Sequence, residues 1–245
     1  MIDTISAAVT GARHQRDARN GQDAACTWTQ DAIAIAVVCD GCGSGASSEV
    51  GARLGAPLFA RALAVRLLDG QPVTDAATWE AARGDVAAVL SELVGRLAGD
   101  RDRVIHDHAL FTIVAAAVSG NDAAVWALGD GAYSFGETTR VLGPFEDNAP
   151  PYLAYDLDAE PRPAHFEVAP PCEVIAVATD GATELVDGLA PLTAPRYFDH
   201  ADALRRRLSI LARPAERIDW AERRVVRAPA MLQDDCAIAM LRRRS

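Results

Sequence analysis

The chain contains no lysine: all 24 of its basic residues are arginine. That absence excludes a GxxxxGK phosphate loop, a kinase strand lysine and Schiff-base chemistry. Cysteine is scarce, five in 245 residues, and the odd number fits reduced thiols rather than a disulfide framework. No uncharged apolar run approaches the roughly 20 residues needed to span a bilayer. The opening Met1-Ile2-Asp3-Thr4 lacks the basic and apolar regions of a signal peptide. The expectation is a cytoplasmic protein with no membrane partner. No Pro/Gly/Ser-rich linker divides the chain, so residues 1–245 are expected to form a single domain. A net charge of −10 with 50% hydrophobic residues argues for a globular core and against a nucleic-acid partner.

What the chain does have is a repeated event, an apolar run closed by a carboxylate. In Ala32-Ile33-Ala34-Ile35-Ala36-Val37-Val38 four residues are β-branched, and the run ends at Asp40 before a turn containing Gly41, Gly43 and Gly45. A carboxylate there must be solvated, hydrogen-bonded or metal-bound. Val174–Ala178 runs into Thr179-Asp180-Gly181, Ala124–Leu128 into Gly129-Asp130-Gly131, and Asp234-Asp235 stands before the apolar Cys236–Leu241. Four such events suggest convergence. Hard oxygen ligands without clustered His or Cys suit Mg²⁺ or Mn²⁺ rather than zinc.

Competing chemistries fit less well. Asp40 is followed by Gly41 and Cys42, so the second acid two positions on that a haloacid-dehalogenase-like phosphatase needs is missing. Gly43-Ser44-Gly45 lacks the spacing of a nucleophile elbow. His106-Asp107-His108 reads as structural or solvated. Cys39 and Cys42 form a CxxC with no second pair to complete a zinc site, which favours local packing over a redox role.

Periodicity then sets the architecture. Residues 4–14 read as an opening strand leading to His14, and Ala25–Thr29 with the run from Ala32 as a hairpin. Ser47-Ser48-Glu49 offers capping side chains to a helix with Val50, Leu54, Leu58 and Ala62 on one face, with a bend expected at Pro57. A second helix, Trp79–Ala98, carries Val86, Val89, Leu90, Leu93, Val94 and Leu97 inward and turns Arg83, Asp85, Glu92 and Arg96 away. Strands at 110–118, 123–128, 132–135 and 139–142 read as an antiparallel meander. The proline-rich 144–164 reads as an irregular surface segment. Strands at 165–168 and 174–178, helical stretches about Glu184–Val186 and Ala201–Leu211, and a final strand 236–241 complete an α+β layered sandwich.

Several short pieces, taken in order, carry a family resemblance: Gly11-Ala12-Arg13-His14, Gln22-Asp23-Ala24, Val38-Cys39-Asp40-Gly41-Cys42-Gly43-Ser44, Ser48-Glu49-Val50-Gly51-Ala52, Phe111-Thr112, Gly129-Asp130-Gly131, Pro150-Pro151-Tyr152-Leu153, Ala178-Thr179-Asp180-Gly181 and Asp234-Asp235. The chain resembles the metal-dependent PP2C (PPM) family of Ser/Thr protein phosphatases in its compact bacterial form. That resemblance implies a four-layer α-β-β-α sandwich, two central antiparallel sheets flanked by helix pairs, with two Mn²⁺ or Mg²⁺ ions at one edge. It also implies hydrolysis of phosphoserine and phosphothreonine on proteins by a dimetal-activated water, without a covalent intermediate. By position, Asp40 resembles the bridging ligand, with the Gly41 carbonyl on one ion. Asp180 and Asp234 resemble ligands of the other, and Asp23 one that binds through water. Asp130 resembles the residue that helps some members hold a third, weaker ion, and Asp235 is the lesser candidate beside Asp234. Cys42 stands where many members carry a histidine, and Gln22 where many have Glu. Of the arginines preceding Gln22-Asp23, Arg16 and Arg19, Arg19 is assigned to phosphate. The implied partners are phosphorylated proteins and a Ser/Thr kinase or its targets. The alternative is a catalytically weak phosphatase-like module that binds a phosphoprotein or regulates a kinase.

Overall fold

A computed structural model describes residues 1–146, 149–185, 188–200 and 202–244. Strand β1 (Ile2–Val9) leads into a short helix α1 (Ala12–Arg16), so His14 is helical rather than the end of the strand. The hairpin β2 (Ala24–Gln30) and β3 (Ile33–Cys39) follows. Next come α2 (Glu49–Leu68), α3 (Ala76–Arg96), α4 (Arg101–Val104) and a π-helical turn, Ile105–Ala109, which holds His106 and His108. Strands β4 (Ile113–Ser119), β5 (Asp122–Leu128), β6 (Gly131–Phe135), β7 (Thr138–Leu142), β8 (His165–Val168) and β9 (Val174–Ala178) are joined through a 3₁₀ turn, Leu153–Leu157. After β9 come a 3₁₀ turn Asp180–Glu184, α5 (Arg196–Asp199), α6 (Ala203–Leu211), a hairpin of β10 (Ala215–Asp219) and β11 (Arg224–Ala228), and β12 (Cys236–Arg243). The β10–β11 hairpin was not anticipated. Val186 and Ala201, expected in helices, lie outside the described residues.

Every residue of β3 is buried, so the strand must be covered on both faces. Alternation does this: Ile35, Val37 and Cys39 join a core with α2 and α3, while Ala34, Ala36 and Val38 meet the second sheet. The first sheet runs β2-β3-β4-β5-β8 and the second β1-β12-β9-β6-β7, all pairs antiparallel. On the outer face of the second sheet, Ile5, Ala176, Ile238 and Met240 pack with Leu204 and Leu208 of α6. Three cores separate four layers. Among the described residues no helix is long and apolar enough to cross a membrane.

Three local expectations are corrected. The strands from 110 to 142 are not one meander: β4–β5 belong to the first sheet and β6–β7 to the second. The chain changes sheets at Gly129-Asp130-Gly131, where both glycines have positive φ (102° and 130°), a region closed to most side chains. Secondly, α2 buries Gly51, Ala52, Gly55, Ala56 and Phe59, while Val50 and Leu54 stay exposed. Phe111 decides this face, because a Cβ at Gly55 would lie 2.3 Å from its ring. The helix continues through Pro57 without interruption, and Ser48 makes no cap hydrogen bond. Thirdly, Arg83 of α3 is buried rather than turned away, as a bidentate ion pair with Asp156 at 2.6 and 2.9 Å. That pair anchors the 3₁₀ turn within 144–164, whose Leu153 and Ala154 are buried, so this segment is only partly a surface loop. Val89, Leu93 and Leu97 are left partly exposed, and α3 ends at Arg96.

Candidate active site

Antiparallel register brings six aspartates to one edge of the sandwich. Ala24 at the start of β2 pairs with Cys39 at the end of β3, which places Asp23 beside Asp40. Ala178 at the end of β9 faces both Ile238 near the start of β12 and Ala132 near the start of β6. Asp180, the Asp234-Asp235 pair and Asp130 therefore leave the sheet at that edge. Close backbone contact keeps it tight: a Cβ at Gly181 would lie 1.8 Å from the Asp235 carbonyl oxygen, and one at Gly41 would lie 2.8 Å from Ser48 Oγ.

The carboxyls form a connected group. Asp23 lies close enough to Asp40, and Asp40 to Asp180 and Asp130, for their charges to act on one another. Burial pushes Asp23 and Asp40 well above the usual carboxylate range. For Asp23 the hydrogen bond from Thr179 Oγ1, at 2.5 Å, opposes that rise, while the charges of Asp235 and Asp180 add to it. For Asp40 the charges of Asp23, Asp180 and Asp130 add to the rise. Asp130 is pushed up to about 6, by burial first and then by Asp180. All donors are hard oxygens, and a divalent cation among them would relieve their mutual repulsion. These residues fit Mg²⁺ or Mn²⁺.

Asp40, Asp130, Asp180 and Asp234 line a cavity of about 290 Å³ with Gly41, Cys42, Arg13, His14, Arg19, Thr112 and Tyr152. Asp23 does not reach it; it borders a separate cavity of about 370 Å³ beside Arg53 and Pro57. Asp235 also borders the active cavity, yet its oxygens are occupied. Oδ1 accepts from the Gly11 N–H at 2.8 Å, and Oδ2 from the Gln22 N–H at 2.6 Å, with His14 Nδ1 at 2.8 Å. One of its oxygens, with His14 and Asp234, falls within a 4.8 Å cluster of cation-competent atoms. His14 and Arg13 were assigned no role from sequence. Their signal was a polar pair just beyond an apolar strand, the same event that marked the aspartates.

Arg19 donates to the carbonyls of Gly43 at 3.4 Å and Gly45 at 3.2 Å, which holds it against the glycine turn. Arg16 borders a different cavity, on the side of Ala212 and Pro214. The turn is braced from below by Gln22, whose Nε2 donates to Ser48 Oγ at 2.7 Å, while Ser48 donates to the Cys42 carbonyl at 2.8 Å. Burial pushes the Cys42 thiol up, but hydrogen bonds with Ser44 and Tyr152 and with the backbone of Ser44 and Gly45 outweigh it and leave the thiol below its ordinary value. Ser44 Oγ also lies 3.4 Å from His106 Nε2, and His106 Nδ1 lies 3.1 Å from Asp107. No disulfide joins any of the five cysteines; Cys39 is buried in the helix-facing core and Cys42 lies at the cavity.

Two antiparallel sheets lie between helical layers, with six aspartates at one edge beside a polar cavity, an arrangement suited to a hard divalent cation. The chain matches the family described as Protein phosphatase 2C over residues 10–220, and it belongs to that family. Its activity is that of a protein-serine/threonine phosphatase, a metal-dependent hydrolase of phosphoproteins. No curated protein matches it significantly. Among solved structures it is similar to the serine/threonine phosphatase Stp1 from Staphylococcus aureus, at 13% identity and a TM-score of 0.63 over 100% of this chain and 96% of that one. The serine/threonine phosphatase of S. agalactiae gives 14% identity and a TM-score of 0.61, with 100% of both chains covered. PppA, a key regulatory component of T6SS in Pseudomonas aeruginosa, gives 15% and 0.60 over 98% of this chain and 97% of that one. At these identities the likeness concerns the fold.

Proposed function

We propose that the aspartate edge is a two-ion Mn²⁺ or Mg²⁺ centre, with Asp40 serving both ions, Asp180 and Asp234 one of them, the Gly41 carbonyl the other, and Asp23 acting through water. Asp130 is placed for a third, weaker ion. When bound, such ions lower the pKa of water and screen the charge of the phosphoryl group. The carrying observation is the gathering of Asp23, Asp40, Asp130, Asp180 and Asp234 at one sheet edge, four of them lining one polar cavity.

The remaining roles belong to this chain's own groups. Arg13 and Arg19 flank the cavity and supply the positive charge for a phosphate dianion; Arg19 is pre-positioned by the Gly43 and Gly45 carbonyls. Asp235 positions His14 and Gln22. Cys42 lines the cavity, and its thiol is assigned to protonate the departing serine or threonine oxygen. The reaction is direct hydrolysis, with no phosphoryl-enzyme. The natural substrates are phosphorylated proteins in the cytoplasm, including a Ser/Thr kinase or its targets, with all 245 residues acting as one domain. A binding-only module would leave these carboxyls without a task. Release of phosphate from a phosphoserine peptide, measured against Mn²⁺ concentration, tests the assignment. Cation-dependent turnover supports it, and turnover unchanged by chelator refutes it.

A further inference from the structure

A second concavity adjoins the active cavity and has no part in the chemistry above. Its volume is about 380 Å³, and its walls include Ile105, Leu110, Ala154, Tyr155 and Ala159. Ile105, Leu110 and Ala154 are buried side chains that belong to the helix-facing core. The rim charge is mixed: Asp102, Asp158 and Arg162 all border the groove. Asp158 is already paired with Arg101 at 3.2 Å, and Arg162 lies over the Tyr155 ring at 4.6 Å from its centre.

Three links join this groove to the active cavity. Tyr152, which lines the active cavity, packs edge-on against Tyr155, which lines the groove, with ring centres 5.6 Å apart. Leu110 of the groove accepts a hydrogen bond on its carbonyl from the Cys42 N–H at 2.9 Å. His106 of the groove reaches Ser44 beside Cys42 at 3.4 Å. The side of the wall formed by residues 154–162 is held by the buried pair of Arg83 with Asp156, and Arg83 also donates to the Arg162 carbonyl at 2.7 Å.

Resting on the phosphatase reading, we infer that this groove is the subsite for an apolar side chain of the substrate, within two residues of the phosphorylated serine or threonine. The spacing is suitable, because an extended peptide advances about 3.3–3.6 Å per residue and the groove begins one aromatic ring away from the cavity. The walls are apolar and pre-formed, as in sites that bury a hydrophobic group, and the opposed charges at the rim leave no preference for one sign. The groove therefore takes a leucine- or methionine-sized side chain, which buries apolar surface there that glycine lacks.

The test is kcat/KM, with Mn²⁺ present, for phosphoserine peptides carrying leucine, glycine or aspartate at each of the two positions on either side, alongside a small aryl phosphate. At one position leucine should exceed both glycine and aspartate by about 10-fold or more, the span one apolar side chain commands in a pocket. In Ala159→Glu, a change at an exposed wall residue, the leucine-to-glycine ratio should fall toward one. Tyr155→Ala should lower the same ratio, and melting temperatures check that both variants fold. Equal kcat/KM for all peptides, with the aryl phosphate turned over, overturns the subsite and leaves the phosphatase intact. No turnover of any ester removes both readings.

Discussion

Asp234 and Asp235 are adjacent in sequence and meet different surroundings. Asp235 is buried and holds Gly11, His14 and Gln22 through both oxygens, whereas Asp234 is half-buried at the cavity. Asp234→Asn should therefore remove most Mn²⁺-dependent turnover at an unchanged melting temperature. Asp235→Asn should instead destabilise by about 1–3 kcal/mol, because its amide group turns donors toward donors; urea titration of both variants separates the two outcomes. If Asp235→Asn left stability untouched, its hydrogen bonds would not be the anchors described. The thiol of Cys42 supplies a second prediction. Cys42→Ser should slow hydrolysis of a phosphoserine peptide by about 10²-fold, the lower end of what a placed general acid gives. An aryl phosphate, whose leaving group needs little protonation, should change little. Equal losses on both substrates would point to damage at the adjacent turn. At this scale the aspartates were legible because an acid closing an apolar run is conspicuous. Arg13 and His14 were not, because Thr10, Gly11 and Ala12 separate them from the end of β1 and neither is an acid.

At the scale of elements, the helices show where one-dimensional pattern misleads. Counting large apolar residues put Val50 and Leu54 inward on α2, but the buried face includes Gly51 and Gly55, which admit the Phe111 ring. Small residues carry little hydrophobic signal and large steric consequence. Gly55→Ala should accordingly destabilise by about 1–3 kcal/mol through overpacking, although alanine is the better helix former. A more stable Gly55→Ala protein would contradict the close approach. Arg83 was assigned to solvent for the same reason, since its partner Asp156 lies 73 residues away. Removing one member of this buried pair, as in Arg83→Met, should cost about 3–5 kcal/mol. Arg83→Met with Asp156→Leu should recover most of it, as read by chemical denaturation; a double variant no better than the single would show that the pair's charges are not the issue. The antiparallel strands themselves were legible from alternation and turns, but their division between two sheets was not, because Gly129-Asp130-Gly131 looks like a hairpin turn in sequence.

For the molecule as a whole, the converging acids make stability a function of pH and divalent cation together. Burial and mutual repulsion raise Asp23, Asp40 and Asp130 in the folded state, the last to about 6. A raised carboxyl binds more protons folded than unfolded, so its contribution to stability is fully present below the unfolded value near 4 and is lost as pH rises through the folded value. In chelator the melting temperature should thus fall between about pH 5 and pH 7. Since bound cation replaces those protons, the gain from added Mn²⁺ should grow over the same interval. A Mn²⁺-induced shift equal at pH 5.5 and pH 7.5 would remove the linkage. The most direct test of the central claim is anomalous diffraction from Mn²⁺-soaked crystals of the protein and of Asp40→Asn. The account predicts two manganese peaks sharing Asp40, with Asp180 and Asp234 on one of them, and loss of both in the variant. An edge without manganese, or one that keeps both ions without Asp40, would contradict it.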